Sequence, residues 1–151
     1  MQAQLTLPVL NASAALPPAV MALRRLGGIP FTILIASNGS TDGTVAVGEA
    51  LAKEFPEVGV VSLPERGRGG ALRHSWNAGE AEVLAYMDVD LSTDLAHLPE
   101  LLGAVASGES DPAVGSRLLP PREIEQGWQA AGAVGRPTFF PRRKACHETQ
   151  F

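Results

Sequence analysis

The sequence predicts an α/β fold, a three-layer α/β/α sandwich built on a mostly parallel sheet. Two observations predict this fold over residues 1–119: short runs of branched apolar residues recur, and they alternate with stretches that repeat apolar residues at helical spacing. Strands that alternate with helices of this length form βαβ units with right-handed crossovers. The strand-to-helix loops therefore gather at one edge of the sheet, and ligands bind there.

Each element follows from a local pattern. Strands are expected over residues 5–9, 31–36, 58–63, 83–87 and 112–115. Helices are expected where apolar side chains recur about one turn apart, in the sets Leu16-Val20-Leu23, Val47-Leu51-Phe55, Leu72-Trp76 and Leu95-Leu98-Leu102-Val105. Gly27-Gly28 and Pro56 end the first two helices, because neither residue type favours helical backbone at an interior position. A short helix over residues 71–78 is expected to carry the third set.

Charge divides the 151-residue chain into two parts. Residues 1–116 carry 6 basic and 13 acidic side chains, whereas residues 117–151 carry 6 basic and 3 acidic ones. The acidic body argues against a nucleic-acid-binding protein. Residues 120–151 show no clear period, so we expect an irregular, disordered or divergent basic tail. A solvated end is the simpler interpretation of this tail, and contact with a phosphate or membrane surface is the alternative.

The composition also limits where the protein works. No window approaches the roughly 20 continuous apolar residues that a bilayer-spanning helix needs. The single cysteine, Cys146, builds neither an intrachain disulfide nor a thiolate metal site. No basic residue precedes Arg24, which argues against a secretion signal. We therefore expect a cytoplasmic protein without a transmembrane span, with peripheral contact at a membrane left open.

The strongest chemical signal is the segment MDVDLSTDL, residues 87–95. Asp88 and Asp90 are expected to end a buried strand, where side chains two residues apart point to the same side. Both carboxylates can then face one cation, and oxygen ligands suit Mg²⁺ or Mn²⁺. A turn or helix cap is the common alternative, and Asp94 is expected to cap the helix that follows. The cost of unpaired carboxylates at the tip of an apolar strand favours metal binding by Asp88 and Asp90.

Two other loops can hold a phosphate or nucleotide. SNGSTDGT, residues 37–44, has a structural interpretation as a turn at Asn38-Gly39 followed by a helix cap from Ser40, Thr41 or Asp42. The same free amides and short polar side chains can also bind a nucleotide. In ERGRGGALR, residues 65–73, glycines let the backbone approach a phosphate, and charge is supplied by Arg66, Arg68 and Arg73.

Other enzyme classes fit less well. ERGRGGALR lacks the G-x-G-x-x-G spacing and does not follow the first strand, which argues against a dinucleotide-binding oxidoreductase. The absence of G-x-S-x-G argues against a serine hydrolase built on a nucleophile elbow. A nucleotidyltransferase would share the mostly parallel sheet and the carboxylates that bind a divalent cation. It usually needs a Gly-rich loop with Lys or Arg after the first strand, which residues 11–15 do not supply.

Taken in order, the segments LPVLNASAAL, SNGSTDGT, GRGGALR, AYMDVDLSTDL and GSRL resemble those of the family 2 glycosyltransferases, especially dolichyl- or polyprenyl-phosphate hexosyltransferases. The resemblance covers residues 5–119 and implies the GT-A fold, a Rossmann-like sandwich. It implies inverting transfer of a hexose, glucose or mannose, from a nucleotide-diphosphate sugar to a polyprenyl or dolichyl phosphate. It also implies a divalent metal, Mg²⁺ or Mn²⁺. MDVDLSTDL is closer to the glucosyl branch, which favours UDP-glucose over GDP-mannose.

The resemblance implies roles for individual residues. Asp88 and Asp90 would bind the metal, with Asp90 its direct ligand. Asp90 and Arg117 would be the catalytic residues, with Arg117 facing the phosphates of donor or acceptor. The nucleotide-sugar would be surrounded by residues from four segments, namely Pro8, Leu10, Asn11, Ser37, Gly69, Gly70 and Asp88.

Departures from the family pattern leave a second hypothesis open. Leu10 and Ala12 stand where the family usually has an aromatic residue and an acid, and Ser37-Asn38 replaces an acidic pair. Residues 120–151 do not resemble the family's acceptor-binding half, so we expect a truncation after the donor-binding half. The alternative function is therefore a catalytically inactive remnant of the family or a nucleotide-binding module.

Overall fold

The computed structural model describes residues 2–28, 30–92, 94–109 and 113, together with the backbone of a last short strand. The described elements, in chain order, are β1 (Ala3–Val9), α1 (Leu16–Arg24), β2 (Phe31–Asn38), α2 (Thr44–Glu54), β3 (Val58–Leu63), α3 (Arg68–Ala78), β4 (Val83–Tyr86), a 3₁₀ turn (Leu95–His97), α4 (Leu98–Ala106) and β5 (Thr138–Phe140).

The strands form one sheet in the order β3-β2-β1-β4-β5. The first four strands are parallel, and β5 pairs antiparallel with β4. The central strand β1 pairs with β2 along its whole length, from Ala3 opposite Phe31 to Val9 opposite Ser37. These pairings confirm the predicted mostly parallel sheet and place the ends of β1 and β2 at the same edge.

Helices cover both faces of the sheet, as predicted. On one face, alternate residues of β1 are fully or almost fully buried in a core shared with α1, α2 and α4. The helical members of this core are Leu16, Val20, Leu23, Leu51, Leu98, Leu102, Val105 and Ala106. On the other face, α3 buries Ala71 and Leu72, and the ring of Trp76 lies 6.1 Å from that of Tyr86 in β4. The molecule is therefore an α/β/α sandwich over its described residues.

Small residues allow the layers to approach closely. A Cβ atom on Gly48 of α2 would lie 3.0 Å from Cγ2 of Val60 in β3, which explains a glycine inside that helix. At the start of α1, prolines occupy the first helical turn, where no intrahelical N–H donor is needed. Because strands and helices alternate along the chain and β1 to β4 are parallel, the amino ends of α1, α2 and α3 follow the carboxyl ends of strands.

Three elements differ from the sequence-based expectation. The predicted strand over residues 112–115 lies mostly outside the described residues, and Ala113, which is described, is not in a strand. The described fifth strand is instead β5, in the segment where the sequence showed no clear period. Helix α3 begins at Arg68, three residues before the predicted start. None of the described helices has the length and hydropathy needed to cross a bilayer.

Candidate functional site

The polar loops predicted to carry chemistry follow the carboxyl ends of β1 to β4 and meet at one edge of the sheet. They fall into two groups by the way they are held. Residues 10–15 and 39–44 are the hydrogen-bonded loop pair, which follows β1 and β2. Residues 64–70 and 87–92 are the open loop pair, which follows β3 and β4.

The hydrogen-bonded loop pair is connected by several bonds that cross from one loop to the other. The backbone N–H of Asn11 donates to Oγ of Ser40 at 3.1 Å, and Oδ1 of Asn11 accepts the N–H of Thr41 at 2.8 Å. Asn11 adopts a left-handed backbone with φ of 51°, a conformation that asparagine tolerates better than most residues. The loop after β1 is thereby fixed against the loop after β2.

Buried Thr44 and exposed Asp42 complete this connection. The hydroxyl of Thr44, which is 0% exposed, accepts the N–H of Ala12 at 2.8 Å and donates to Oδ1 of Asp42. Asp42 also accepts the N–H of Thr44 at 2.9 Å and that of Ser13 at 3.4 Å. The hydroxyl of Thr44 and these amides lower the pKa of Asp42 to about 2, because they stabilise the ionised carboxylate.

The predicted nucleotide-binding residues of this loop pair occupy different depths. Pro8 is half-buried within β1, whereas Leu10 is 43% exposed at the edge. Ser37 is fully buried, and its hydroxyl donates to Oγ of Ser40 at 2.9 Å. Ser40 in turn accepts the N–H of Asn11. The structure therefore brings Asn11 and Ser37 together through Ser40, which lies in the segment predicted either to cap a helix or to bind a nucleotide.

The open loop pair contrasts with this arrangement. Gly67 has a φ of 144°, and a Cβ atom at Gly67, Gly69 or Gly70 would meet nothing within 4 Å. Gly69 and Gly70 form the first turn of α3, where no side chain caps the backbone amides. The helix start thus faces open space at the sheet edge. Within this loop pair, a guanidinium nitrogen of Arg68 lies 3.6 Å from Oδ1 of Asp88.

One prediction about the two aspartates is wrong. β4 ends at Tyr86, so Asp88 and Asp90 lie beyond the strand rather than in extended backbone at its end. The carboxylate of Asp90 accepts the N–H of Ser92 at 3.0 Å, and the intervening Leu91 has a φ of 55°. This side-chain bond closes a turn, which competes locally with continuation of the strand.

The donor atoms present fit a hard divalent cation. Asp88 and Asp90 are close in sequence, follow one strand and supply oxygen ligands. Within the part of the chain that the structure describes, no group of three or more His, Cys, Asp and Glu side chains could hold a metal ion. At phosphate sites Mg²⁺ is typically held by one or two carboxylates and completes its coordination with water and phosphate oxygens.

Two predicted residues remain, Asp94 and Arg117. Asp94 accepts the N–H of Ala96 at 2.9 Å, which confirms it as the cap of the 3₁₀ turn that leads into α4. Arg117 lies outside the described residues. Gly43, rather than Ser40, Thr41 or Asp42, is the N-cap of α2, although Asp42 accepts the N–H of Thr44, the first residue of the helix. Sequence reasoning missed the connecting role of Thr44. It also missed the pairing of Arg68 with Asp88.

Comparison with known proteins identifies related sequences over most of the chain. The model of the family described as glycosyl transferase family 2 matches residues 5–150. The glycosyltransferase AglD of Haloferax volcanii is 41% identical over 97 residues, which are 64% of this chain and 16% of that protein. The glucosyl-3-phosphoglycerate synthase of Mycolicibacterium smegmatis is 30% identical over 146 residues, 91% of this chain and 46% of that protein. The chain thus spans less than half the length of both relatives.

Solved structures share the fold at lower identity. The mannosyltransferase PcManGT of Pyrobaculum calidifontis, in complex with GDP-Man and Mn²⁺, superimposes with a TM-score of 0.63 at 18% identity, covering 80% of this chain and 36% of that one. The glucosyl-3-phosphoglycerate synthase of Mycobacterium tuberculosis, in complex with Mn²⁺, UDP and glucosyl-3-phosphoglycerate, gives 0.61 at 21%, covering 91% and 56%. These likenesses show the same α/β fold.

Proposed function

The chain belongs to glycosyl transferase family 2, and we propose that it binds a nucleotide-diphosphate sugar and transfers the hexose, with inversion, to a polyprenyl or dolichyl phosphate. The observation that carries this proposal is the sheet edge at which two carboxylates, an arginine and an open glycine-rich helix start come together. A diphosphate needs these three features: a cation site, a positive side chain and accessible backbone amides.

The open loop pair is the proposed diphosphate side of the donor site. Asp88 and Asp90 would hold Mg²⁺ or Mn²⁺, with Asp90 as the direct ligand. Gly69 and Gly70 would lie against the phosphates, which is supported by the open space around both positions. When bound, the cation supplies positive charge that stabilises the leaving diphosphate. The exposed side chain of Asp90 is consistent with a ligand that arrives from solvent.

The hydrogen-bonded loop pair is the proposed base side. Exposed Leu10 and Asn11 would contact the base and ribose, with Pro8 shaping the strand end and Ser37 acting from below through Ser40. Because these loops are already joined, the pocket needs little ordering when the nucleotide binds. UDP-glucose is favoured over GDP-mannose as the donor, although the two superimposed structures contain one nucleotide of each kind.

The chemistry of transfer fits an acidic acceptor. A phosphate monoester carries a charge of about −1.5 to −2 at neutral pH, so it attacks without a strong general base. The chain's own task is to hold the leaving diphosphate and balance its charge. Arg117 is proposed to face the phosphates of donor or acceptor, as the family resemblance implies. Contact of Arg136, Arg142, Arg143 and Lys144 with a membrane surface would bring the protein to its lipid acceptor.

Substitution of Asp90 tests the donor site. In Asp90→Asn the amide oxygen still accepts the N–H of Ser92, so the turn is retained while the anionic ligand is lost. We expect Mn²⁺ to strengthen nucleotide binding in the wild type and to have no effect in Asp90→Asn or Asp90→Ala, measured by calorimetry. Asp94→Asn keeps the helix cap in the same segment and is the matched control. A variant of Asp90 that retains the full effect of Mn²⁺ would overturn the assignment.

A transfer assay separates the enzyme from the alternative. Radiolabelled UDP-glucose and GDP-mannose are supplied with a short polyprenyl phosphate, and the lipid fraction is counted. Transfer by the wild type and its loss in Asp90→Asn are expected. Nucleotide binding without transfer to the lipid would instead support a binding module or an inactive remnant of the family.

A further inference from the structure

Arg68 and Asp88 form an ion pair inside the proposed diphosphate side of the site. The guanidinium nitrogen Nη2 lies 3.6 Å from Oδ1 of Asp88, although the two residues are twenty positions apart. Arg68 is the first residue of α3, and Asp88 follows β4. The Arg68 side chain is 61% exposed and that of Asp88 is 29% exposed. A positive group therefore already stands at one of the two carboxylates that suit a divalent cation.

A guanidinium and a divalent cation cannot share this carboxylate without cost. Like charges a few ångströms apart repel, and Oδ1 of Asp88, which lies 3.6 Å from the guanidinium, is one of the oxygens that a cation would need. Entry of a cation therefore favours departure of Arg68 from Asp88. The side chain has room to leave, because it is 61% exposed. Its planar fork of donors then suits a diphosphate, which presents oxygens in matching pairs.

We propose that Arg68 is a positioning residue that couples the binding of the divalent cation to the binding of the nucleoside diphosphate. The inference rests on the proposed function and assigns a role to a side chain outside the metal ligands. In the free protein Arg68 neutralises Asp88 and weakens binding of the cation alone. In the presence of a diphosphate Arg68 contacts the phosphates, and Asp88 is released to the cation. Each ligand thus strengthens the other, and this coupling is reciprocal.

Substitution of Arg68 separates the two effects. In Arg68→Ala, Asp88 loses its competing partner, so the affinity for Mn²⁺ alone should rise by about twofold to fivefold, the range typical of an exposed ion pair. The factor by which nucleotide strengthens Mn²⁺ binding should fall by at least the same amount. Free Mn²⁺ is measured by electron paramagnetic resonance with the full-length chain, without nucleotide and with saturating UDP or GDP. Neither quantity depends on sugar transfer.

Two further variants sharpen the test. Arg25→Ala removes the same charge at the exposed end of α1, near the opposite edge of the sheet, and should leave both quantities at wild-type values. Arg68→Lys keeps the charge but not the planar fork. It should bind Mn²⁺ alone as weakly as the wild type and lose part of the coupling.

The outcomes distinguish this inference from the proposed function. If the wild type shows mutual strengthening of Mn²⁺ and nucleotide but Arg68→Ala leaves both quantities unchanged, the role of Arg68 is overturned and the donor site stands. Weaker binding of Mn²⁺ alone in Arg68→Ala also overturns it, because the side chain would then support the metal site. If the folded wild type binds neither UDP nor GDP with Mn²⁺, the proposed function is overturned, and the inference with it.

Discussion

The hydrogen-bonded loop pair is held by bonds that run from one loop to the other around a fully buried threonine, whereas the open loop pair is joined by a longer ion pair between exposed Arg68 and half-buried Asp88. The first pair follows the adjacent strands β1 and β2, whereas the second follows β3 and β4, which lie on either side of them. Both pairs are rich in Gly, Ser and Asp or Arg. The sheet brings the loops to one edge, but side-chain chemistry decides which of them are already fixed.

This difference indicates that the two loop pairs have different roles at the sheet edge. A surface that is fixed before binding loses little conformational entropy when a ligand arrives, and it suits a part of the ligand with a constant shape. A surface with open glycines and an exposed charge pair can rearrange when a cation and a diphosphate bind. We therefore expect changes in the first loop pair to alter stability and changes in the second to alter binding.

Removal of the buried Thr44 hydroxyl should have the largest effect on the free energy of unfolding. Thr44→Val keeps the side-chain shape but leaves the N–H of Ala12 and the carboxylate of Asp42 without this partner. The bonds of the Thr44 hydroxyl to half-buried Ala12 and to the Asp42 carboxylate together contribute about 1–3 kcal/mol, so the free energy of unfolding should fall by that amount. Urea unfolding followed by circular dichroism measures it.

Thr41→Val is the matched control for this change. The hydroxyl of Thr41 is exposed and lies 3.5 Å from Oδ1 of Asn11, so its loss should change the free energy of unfolding by less than about 0.5 kcal/mol. Equal losses in the two variants would show that the buried connection does not stabilise the loops more than a surface contact does.

A pair of glycine substitutions should change stability in opposite directions. Gly39, in the first loop pair, has a φ of 78°, and an added Cβ atom would lie 3.2 Å from the carbonyl oxygen of Pro64. Gly39→Ala should therefore lower the free energy of unfolding by about 1–2 kcal/mol. Gly69→Ala meets nothing within 4 Å in the first turn of α3 and should raise it by about 0.5 kcal/mol.

Nucleotide titration of Gly69→Ala extends the comparison from stability to binding. Gly69→Ala should bind nucleotide more weakly in spite of its higher stability, because the added methyl group occupies space proposed for the diphosphate. A stabilised Gly69→Ala that binds as tightly as the wild type would contradict the placement of the phosphates at this helix start.

The smallest effect should be the pH dependence contributed by Asp42. Hydrogen bonds from Thr44 and Ser13 lower its pKa to about 2 from 3.8, so the ionised carboxylate favours the folded state. This contribution is complete above about pH 4 and is lost as the pH falls towards 2. The stability difference between the wild type and Asp42→Asn should therefore shrink over that range. A difference that is constant from pH 6 to pH 2 would contradict this origin.

Much of the architecture could be predicted because it depends on local pattern. The strands β1 to β4 were expected from short apolar runs, and the edge that carries the loops follows from the handedness of βαβ units. The cap at Asp94 was predicted for the same reason, since the residue immediately precedes its helix. Such features depend on neighbours within a few positions.

Features that depend on distant partners were missed. The pairing of Arg68 with Asp88 requires that α3 and the end of β4 meet, which neither segment shows alone. The strand β5 is three residues long and exists through pairing with β4. The extended backbone expected at Asp88 and Asp90 was wrong because the Asp90 side chain bonds the N–H of Ser92 and closes a turn.

The most direct test of the donor site is calorimetric titration of the folded wild-type chain with UDP and then GDP, each with and without Mn²⁺. We predict that one nucleotide, UDP in preference to GDP, binds and that Mn²⁺ strengthens its binding. Binding of neither nucleotide in the presence of Mn²⁺, by a chain whose circular dichroism shows the α/β fold, would contradict it.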